Sequence, residues 1–293
     1  MKRPVIIGEV LFDVVPGKEI LGGAHFNVAW HLHALGLNPL LISRIGDDAR
    51  GEIVLKTMRE WGMDTSGIQI DTDGETTTTD CTVIDGKATY GICMGKAFDF
   101  IDAEQALNAL GDSAISILFY GTLASRHAVS LAALEALVAK QPDIQFIDLN
   151  LRPPSYTDEQ NQLFMQRADW LKLNDEELEL ISGQPCESRT EQEQAAQALQ
   201  QQYAIENVLI TCGEAGAFCV SNNGILSAKP EHDVVVADTI GAGDSFSSII
   251  IAGKLLGWTD EKTLQCAVDL AAITCTQHGA VITDKSVYEK IIP

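Results

Sequence analysis

The chain has 293 residues, of which 46% are hydrophobic and 21% charged, enough to bury one large α/β core with a small appendage and too ordinary a composition for disorder or a fibre. Forty-one acidic against twenty basic residues leave a formal net charge of -21, which works against nucleic acid and anionic membrane surfaces as partners. The seven cysteines (81, 93, 186, 212, 219, 266, 275) form no C-x-x-C pair, Glu9 and Asp13 interrupt the apolar start, and no run approaches the ~20 apolar residues of a membrane span, so a cytoplasmic protein with reduced thiols is expected.

Short β-branched runs alternate with segments of helical period, the rhythm of βαβ units and of an α/β fold with a central, mostly parallel sheet flanked by helices. Core strands are predicted at 5–7, 40–42, 115–120, 144–149, 170–173 and 208–212. Helices are predicted at 24–35 and 49–61, closed by Gly36 and Gly62, and at 103–110, 131–139, 159–168, 175–182 and 191–202. Residues 68–92 break the rhythm: they are Thr-rich and alternating, with an Asp85-Gly86 turn, and read equally as a lid over a site or as an edge hairpin. A second hairpin is signalled by Asn223-Gly224. With no low-complexity linker or repeat, one domain over 1–293 is expected.

The segment Val234-Val235-Val236-Ala237-Asp238-Thr239-Ile240-Gly241-Ala242-Gly243-Asp244 reads as a strand and a glycine turn, and an apolar helix follows at 249–256. Glycines 241 and 243 let backbone amides approach a ligand, and the helix start adds unpaired N–H groups and a positive dipole end, so an anion is the natural guest. A dinucleotide fingerprint does not fit, because Phe246 stands at the third glycine position and the turn lies late in the chain. No G-x-x-x-x-G-K-[ST] loop occurs. A purely structural tight turn stays open for the glycines alone. Asp244 adds a carboxylate where it would repel an anion unless it has chemical work there, such as accepting a hydroxyl proton beside a transferring phosphoryl group.

Asp238-Thr239-Ile240-Gly241-Ala242-Gly243-Asp244 resembles the D-T-x-G-A-G-D signature of the PfkB, or ribokinase-like, carbohydrate kinases. Gly22-Gly23-Ala24-His25-Phe26-Asn27 resembles the family's sugar-binding glycine pair, and Asp148-Leu149-Asn150-Leu151-Arg152, Lys172-Leu173-Asn174-Asp175-Glu176-Glu177 and Thr211-Cys212-Gly213-Glu214-Ala215-Gly216 follow in the family's order. The resemblance implies an ATP-dependent kinase, with Asp244 as base and Gly241, Ala242 and Gly243 as the anion hole. It also implies a small antiparallel β lid from about 10–22 and 68–98, whose strands pair subunits into a homodimer in some members.

By the same resemblance Asp13, Gly22, Gly23 and Asn27 bind sugar hydroxyls, and Arg152 lies near substrate or phosphates. Asn174, Glu177, Thr211, Gly213 and Gly216 serve the nucleotide phosphates, Glu177 organising Mg2+ through water. Asp238, Ile240, Thr274 and Gly279 surround a monovalent cation such as K+. Each has a plainer reading beside it: a helix-entry turn for Gly22-Gly23, an N-cap for Asn174, a strand-exit turn for Thr211 to Gly216, and a surface arginine for Arg152.

His25 stands where the family commonly carries a small residue or proline, and His31 likewise replaces a small one. Both read as packed groups, with a sugar-facing His25 as the alternative. The spacing from Asp13 to Gly22 and the Asn150-Leu151-Arg152-Pro153-Pro154 segment look most like fructokinases, which makes fructose to fructose 6-phosphate the first choice. Ribose, 2-keto-3-deoxygluconate and a nucleoside remain open, as do a non-catalytic sugar sensor and a dehydrogenase.

Overall fold

The apolar run at the start forms β1 (Lys2–Ile7), whose last four residues are buried, as in a strand enclosed within a parallel sheet. The computed structural model describes residues 2–15, 17–84, 87–231 and 234–292. These form two compact units, one built from the chain up to Leu118 with Ala124–Pro142, the other from Phe119–Leu123 with the chain from Asp143 onward.

In the first unit β1 is followed by β2 (Leu11–Val15), β3 (Lys18–Gly22), α1 (Ala24–Ala34), β4 (Leu40–Gly46) and α2 (Ala49–Trp61). Then come β5 (Ile68–Asp71), β6 (Thr77–Ile84), β7 (Lys87–Ile92), α3 (Ala103–Leu110), β8 (Ala114–Tyr120), which runs on into the second unit, and α4 (Ala128–Val138). The strand order is β8-β1-β4-β5, with β4 parallel to β1 on one side and to β5 on the other. A second sheet has the order β3-β2-β6-β7: two antiparallel hairpins joined where Leu11 and Phe12 pair in parallel with Thr77 and Thr78. The excursion expected at 68–92 therefore exists as β6 and β7, while 68–71 joins the main sheet as β5. The Asp85-Gly86 turn lies outside the described residues.

The second unit contains β9 (Ile144–Asp148), α5 (Asp158–Arg167), β10 (Trp170–Asn174), α6 (Asp175–Ser182), α7 (Arg189–Tyr203), β11 (Asn207–Thr211), β12 (Ala217–Ser221) and β13 (Gly224–Ala228). It ends with α8 (Ala242–Leu256), α9 (Asp260–Thr274) and α10 (Lys285–Ile291). Strands β9, β10 and β11 are parallel, and β12 and β13 continue the sheet as the antiparallel hairpin expected at Asn223-Gly224. Helix α7 packs on β11 and β12, and α8 on α9. Helices α9 and α10 went unread in the sequence, although Leu264, Ala267 and Val268 of α9 are buried at helical spacing.

One expectation is corrected. Residues 234–236 are not a strand: Val235 and Val236 are 89% and 58% exposed, and the next amides, Ala237 and Asp238, donate to the carbonyl of Cys275 at 2.8 and 3.3 Å rather than to a sheet neighbour. A β-branched run without a ladder partner has nothing to hold it as a strand.

Cys93, Cys186, Cys212, Cys219, Cys266 and Cys275 are free thiols, and burial pushes Cys212 and Cys219 up to about 11 and about 12, so neither is a thiolate near neutral pH. No helix among the described residues is long and apolar enough to cross a membrane.

Candidate active site

Parallel strands carry their chemistry at their C-terminal ends, and in the second unit those ends gather the expected phosphate residues. Asn174 ends β10 directly opposite Thr211, which ends β11. The Asn174 side chain accepts the N–H of Glu177 at 2.7 Å, and Glu177 Oε2 accepts the N–H of Asn174 at 2.9 Å, a reciprocal capping box that starts α6. Glu177 Oε1 reaches back to accept the N–H of Leu151 at 2.8 Å. The N-cap reading of Asn174 is thus realised, and Glu177 ties the loop after β9 to the start of α6. Beyond Thr211, Gly213 faces open space, whereas a Cβ on Gly216 would meet the Ala228 carbonyl at 2.1 Å, so close backbone approach explains Gly216. Arg152 is exposed and donates to the carbonyl of Leu151 at 3.1 Å.

Two residues that the sequence reading quoted but gave no role stand at the centre of this half-site. Lys172 of β10 lies in register with Asp148 of β9, and its Nζ is 3.0 Å from Asp148 Oδ2, with both side chains buried. Burial pushes the Asp148 carboxyl up to about 6; Lys172 opposes the shift, while Glu177 and Asp244 add to it. Burial also works against the Lys172 ammonium, but Asp148, Glu177 and Asp244 together outweigh it and raise its pKa. One cation therefore serves three carboxylates. The signal that could have found it was a lysine inside an otherwise apolar strand, Trp170-Leu171-Lys172-Leu173.

Helix α8 begins at this cluster. Gly241 is its N-cap at φ 81, a left-handed conformation that favours glycine, and a Cβ there would meet the Ala280 carbonyl at 2.4 Å. A Cβ on Gly243 would lie 2.9 Å from Lys172 Nζ, so the ammonium sits against the helix start. No side chain caps this end, and Asp244 lies in its first turn. The Ala242 N–H donates to the Thr239 carbonyl at 3.3 Å, so one of the three anion-hole positions already has a partner within the turn. Asp238 accepts the N–H of Ile240 at 3.1 Å, and its own amide meets Cys275, next to the buried Thr274, whose hydroxyl donates to Leu270 O. Gly279 precedes Ala280, the residue against which Gly241 packs.

In the first unit, a Cβ built on Gly22 would lie 3.6 Å from Asp13 Oδ2 and 3.9 Å from Asn27 Oδ1. A carboxylate and an amide thus converge on the space that this glycine leaves empty. Gly23 forms the entry to α1 at φ 108. His25 and His31 are both buried, and the His25 ring turns to Glu9 at 2.6 Å.

The family described as pfkB family carbohydrate kinase matches residues 8–286. The chain belongs to that family. A fructokinase of Klebsiella pneumoniae is 28% identical over 295 residues, covering 95% of this chain and 92% of that protein. Among solved structures, fructokinase from Vibrio cholerae O395, in a fructose, ADP and calcium ion bound form, has a TM-score of 0.81 at 22% identity and covers 100% of this chain and 99% of that one. Aminoimidazole riboside kinase from Salmonella enterica, complexed with aminoimidazole riboside and an ATP analog, has a TM-score of 0.80 at 20% identity, covering 100% of both chains. The carbohydrate kinase therefore has the ribokinase-like fold, with its mostly parallel strands flanked by helices and a small additional sheet.

A groove of about 720 Å³ in the second unit is lined by Trp170, Asn207, Lys254 and Trp258. Trp170 and Asn207 begin β10 and β11, whereas Asn174 and Thr211 end them, so this groove opens at the other end of the strands from Asn174 and Thr211.

Proposed function

We propose that this carbohydrate kinase transfers the γ-phosphoryl group of ATP to a primary hydroxyl of a small sugar, with fructose to fructose 6-phosphate as the first assignment. Asp244, in the first turn of an uncapped helix behind two close-approach glycines, is the observation that carries this reading. The Asp244 carboxylate takes the proton of the accepting hydroxyl, the freed oxygen bonds to the γ-phosphorus, and the bond from that phosphorus to the β-bridging oxygen breaks, leaving ADP and a sugar phosphate. Amides of Gly241, Ala242 and Gly243 and the α8 dipole stabilise the charge spreading over the transferring oxygens, with Ala242 contributing once its contact with Thr239 opens. The fructokinase named above, with its share of both chains, supports fructose.

The donor set fits Mg2+. Three carboxylates around one ammonium leave negative charge in excess, and the Asp148 pKa, raised first by burial, is raised further by Glu177 and Asp244. Among the described residues no group of three or more His, Cys, Asp or Glu side chains is placed to hold a metal ion. Glu177, through water, with Asp148 beside it, would hold the ion, which would neutralise phosphate charge. Asp238, Ile240, Thr274 and Gly279 would surround a K+ ion. Asp13, Gly22, Gly23 and Asn27 bind the sugar, Arg152 approaches it from its exposed position, and Thr211 and Gly213 approach the nucleotide. The β2-β3 and β6-β7 hairpins act as the lid that excludes water, and their strands are the surface through which two subunits would pair.

A coupled ADP-release assay over fructose, other hexoses, ribose, 2-keto-3-deoxygluconate and nucleosides tests the assignment. Fructose is expected to support the highest kcat/KM. Asp244→Asn is expected to keep ATP binding and lose about a hundredfold to ten-thousandfold in kcat; near-normal turnover in that variant overturns the reading.

A further inference from the structure

Helix α1 starts without a side-chain cap of its own, yet its first amide is satisfied from a distant segment. Glu9, on the loop between β1 and β2, is buried, and its Oε1 accepts the N–H of Ala24 at 3.0 Å. Its Oε2 accepts from His25 Nδ1 at 2.6 Å. A buried carboxylate needs compensation, and the imidazole and the helix amide supply it. Although burial alone would raise it, the Glu9 pKa is lowered by His25 and by backbone amides, so the carboxylate is ionised and Nδ1 is the donor.

The contact is close on both sides. A Cβ on Gly23 would stand 2.7 Å from the Glu9 carbonyl oxygen, and a Cβ on Gly8 would stand 2.0 Å from His25 Cγ. Gly8 is itself held, since its N–H donates to the Ile42 carbonyl at 3.1 Å alongside the β1 and β4 pairing. The sheet thus grips His25 through Gly8, His25 grips Glu9, and Glu9 grips Gly23 and Ala24. This chain ends at the turn where Gly22, Asp13 and Asn27 converge.

We propose that Glu9 and His25 are positioning residues for the acceptor sugar: their buried pair fixes the Gly23 turn and the first residue of α1, so that Gly22 and Asn27 keep their spacing from Asp13. The proposal rests on the sugar-binding role assigned to those three residues. The pair sits behind the turn and the partners named above all belong to the first unit, so it acts on sugar affinity through backbone placement. At position 25 an asparagine places a donor close to where Nδ1 lies, whereas a leucine fills similar volume with none.

The test compares His25→Leu, His25→Asn and Glu9→Gln in steady-state kinetics. His25→Leu and Glu9→Gln are expected to raise the sugar KM about tenfold or more while the ATP KM stays within about twofold, and His25→Asn to recover most of the sugar KM. Unchanged sugar KM in His25→Leu, equal rises for both substrates, or an asparagine variant no better than leucine overturns the proposal. Should the leucine variant fail to fold, the His25 Nδ1 proton resonance of wild-type enzyme decides: sugar shifts it and MgADP does not, and any other response overturns it. A wild-type enzyme that releases no ADP with any acceptor overturns the functional reading and this proposal with it. A working wild-type enzyme with an indifferent leucine variant overturns this proposal alone.

Discussion

Lys172 and Asp148 stand opposite one another on β10 and β9, their buried ion pair is 3.0 Å long, and the same ammonium lies against Gly243 at the start of α8. A single cation thus joins the strand ends to the helix that carries Asp244.

Removing that cation is expected to be costly. Lys172→Met keeps most of the side-chain volume and leaves Asp148 buried without a partner, which should lower unfolding free energy by about 3–5 kcal/mol. Adding Asp148→Asn should return part of the loss, because the double variant no longer buries an unpaired charge. Denaturant unfolding of wild type, both single variants and the double variant checks this; a Lys172→Met protein as stable as wild type refutes the electrostatic account.

The two glycines of the turn should separate stability from catalysis. At Gly241 an alanine meets backbone 2.4 Å away at φ 81, neither of which can yield cheaply, and a loss of about 2–4 kcal/mol is expected. At Gly243 the obstacle is the end of a flexible lysine, 2.9 Å away. Gly243→Ala should therefore cost about 1 kcal/mol or less yet lower kcat sharply by displacing Lys172. Melting temperature and kcat measured on both variants distinguish the pattern from a shared loss of stability.

The Asp148 carboxyl, raised from the ordinary 3.8 to about 6, makes two pH-dependent outcomes calculable. Between those values the native state holds a proton that the unfolded chain has released, so this group's contribution to stability is present at low pH and is lost as pH rises toward 6. Stability of wild type should decline across that window more steeply than that of Asp148→Asn. In the proposed arrangement the Mg2+ ion of bound MgADP lies beside the same carboxyl, outweighs the more distant phosphate charge there and should expel its proton. Calorimetry in buffers of different ionisation enthalpy should find proton release that is larger at pH 6 than at pH 7.5; equal release at both pH values counts against it.

Glu177 should matter even without metal or nucleotide. Both its carboxylate oxygens accept backbone amides, from Leu151 at 2.8 Å and Asn174 at 2.9 Å, and a glutamine can satisfy only one of them. Glu177→Gln is expected to lose about 1–3 kcal/mol in the metal-free protein. An unchanged melting temperature in chelator would assign Glu177 to metal alone.

Much of the framework could be read locally. Helices α2, α3 and α6 have the boundaries expected from their sequence, because the signals lie within a turn of each end: the Asp48 side chain accepts Gly51 N–H before α2, and Gly62 closes it at φ 95. The glycine turn, Asp244 and the convergence of Asp13 with Gly22 and Asn27 followed from motif. Residues 234–236 were misread, since three valines have strand propensity but no neighbour to pair with.

By itself the sequence determined the alternation of strands and helices, the caps, the family and the carboxylate at the helix start, since periodicity and capping act over a few residues. Only the tertiary structure decided that Lys172 would serve Asp148 from 24 positions away and that His25 would turn to Glu9. Strand register and the space left by Gly8 and Gly243 choose those partners, and both depend on how separate segments pack together.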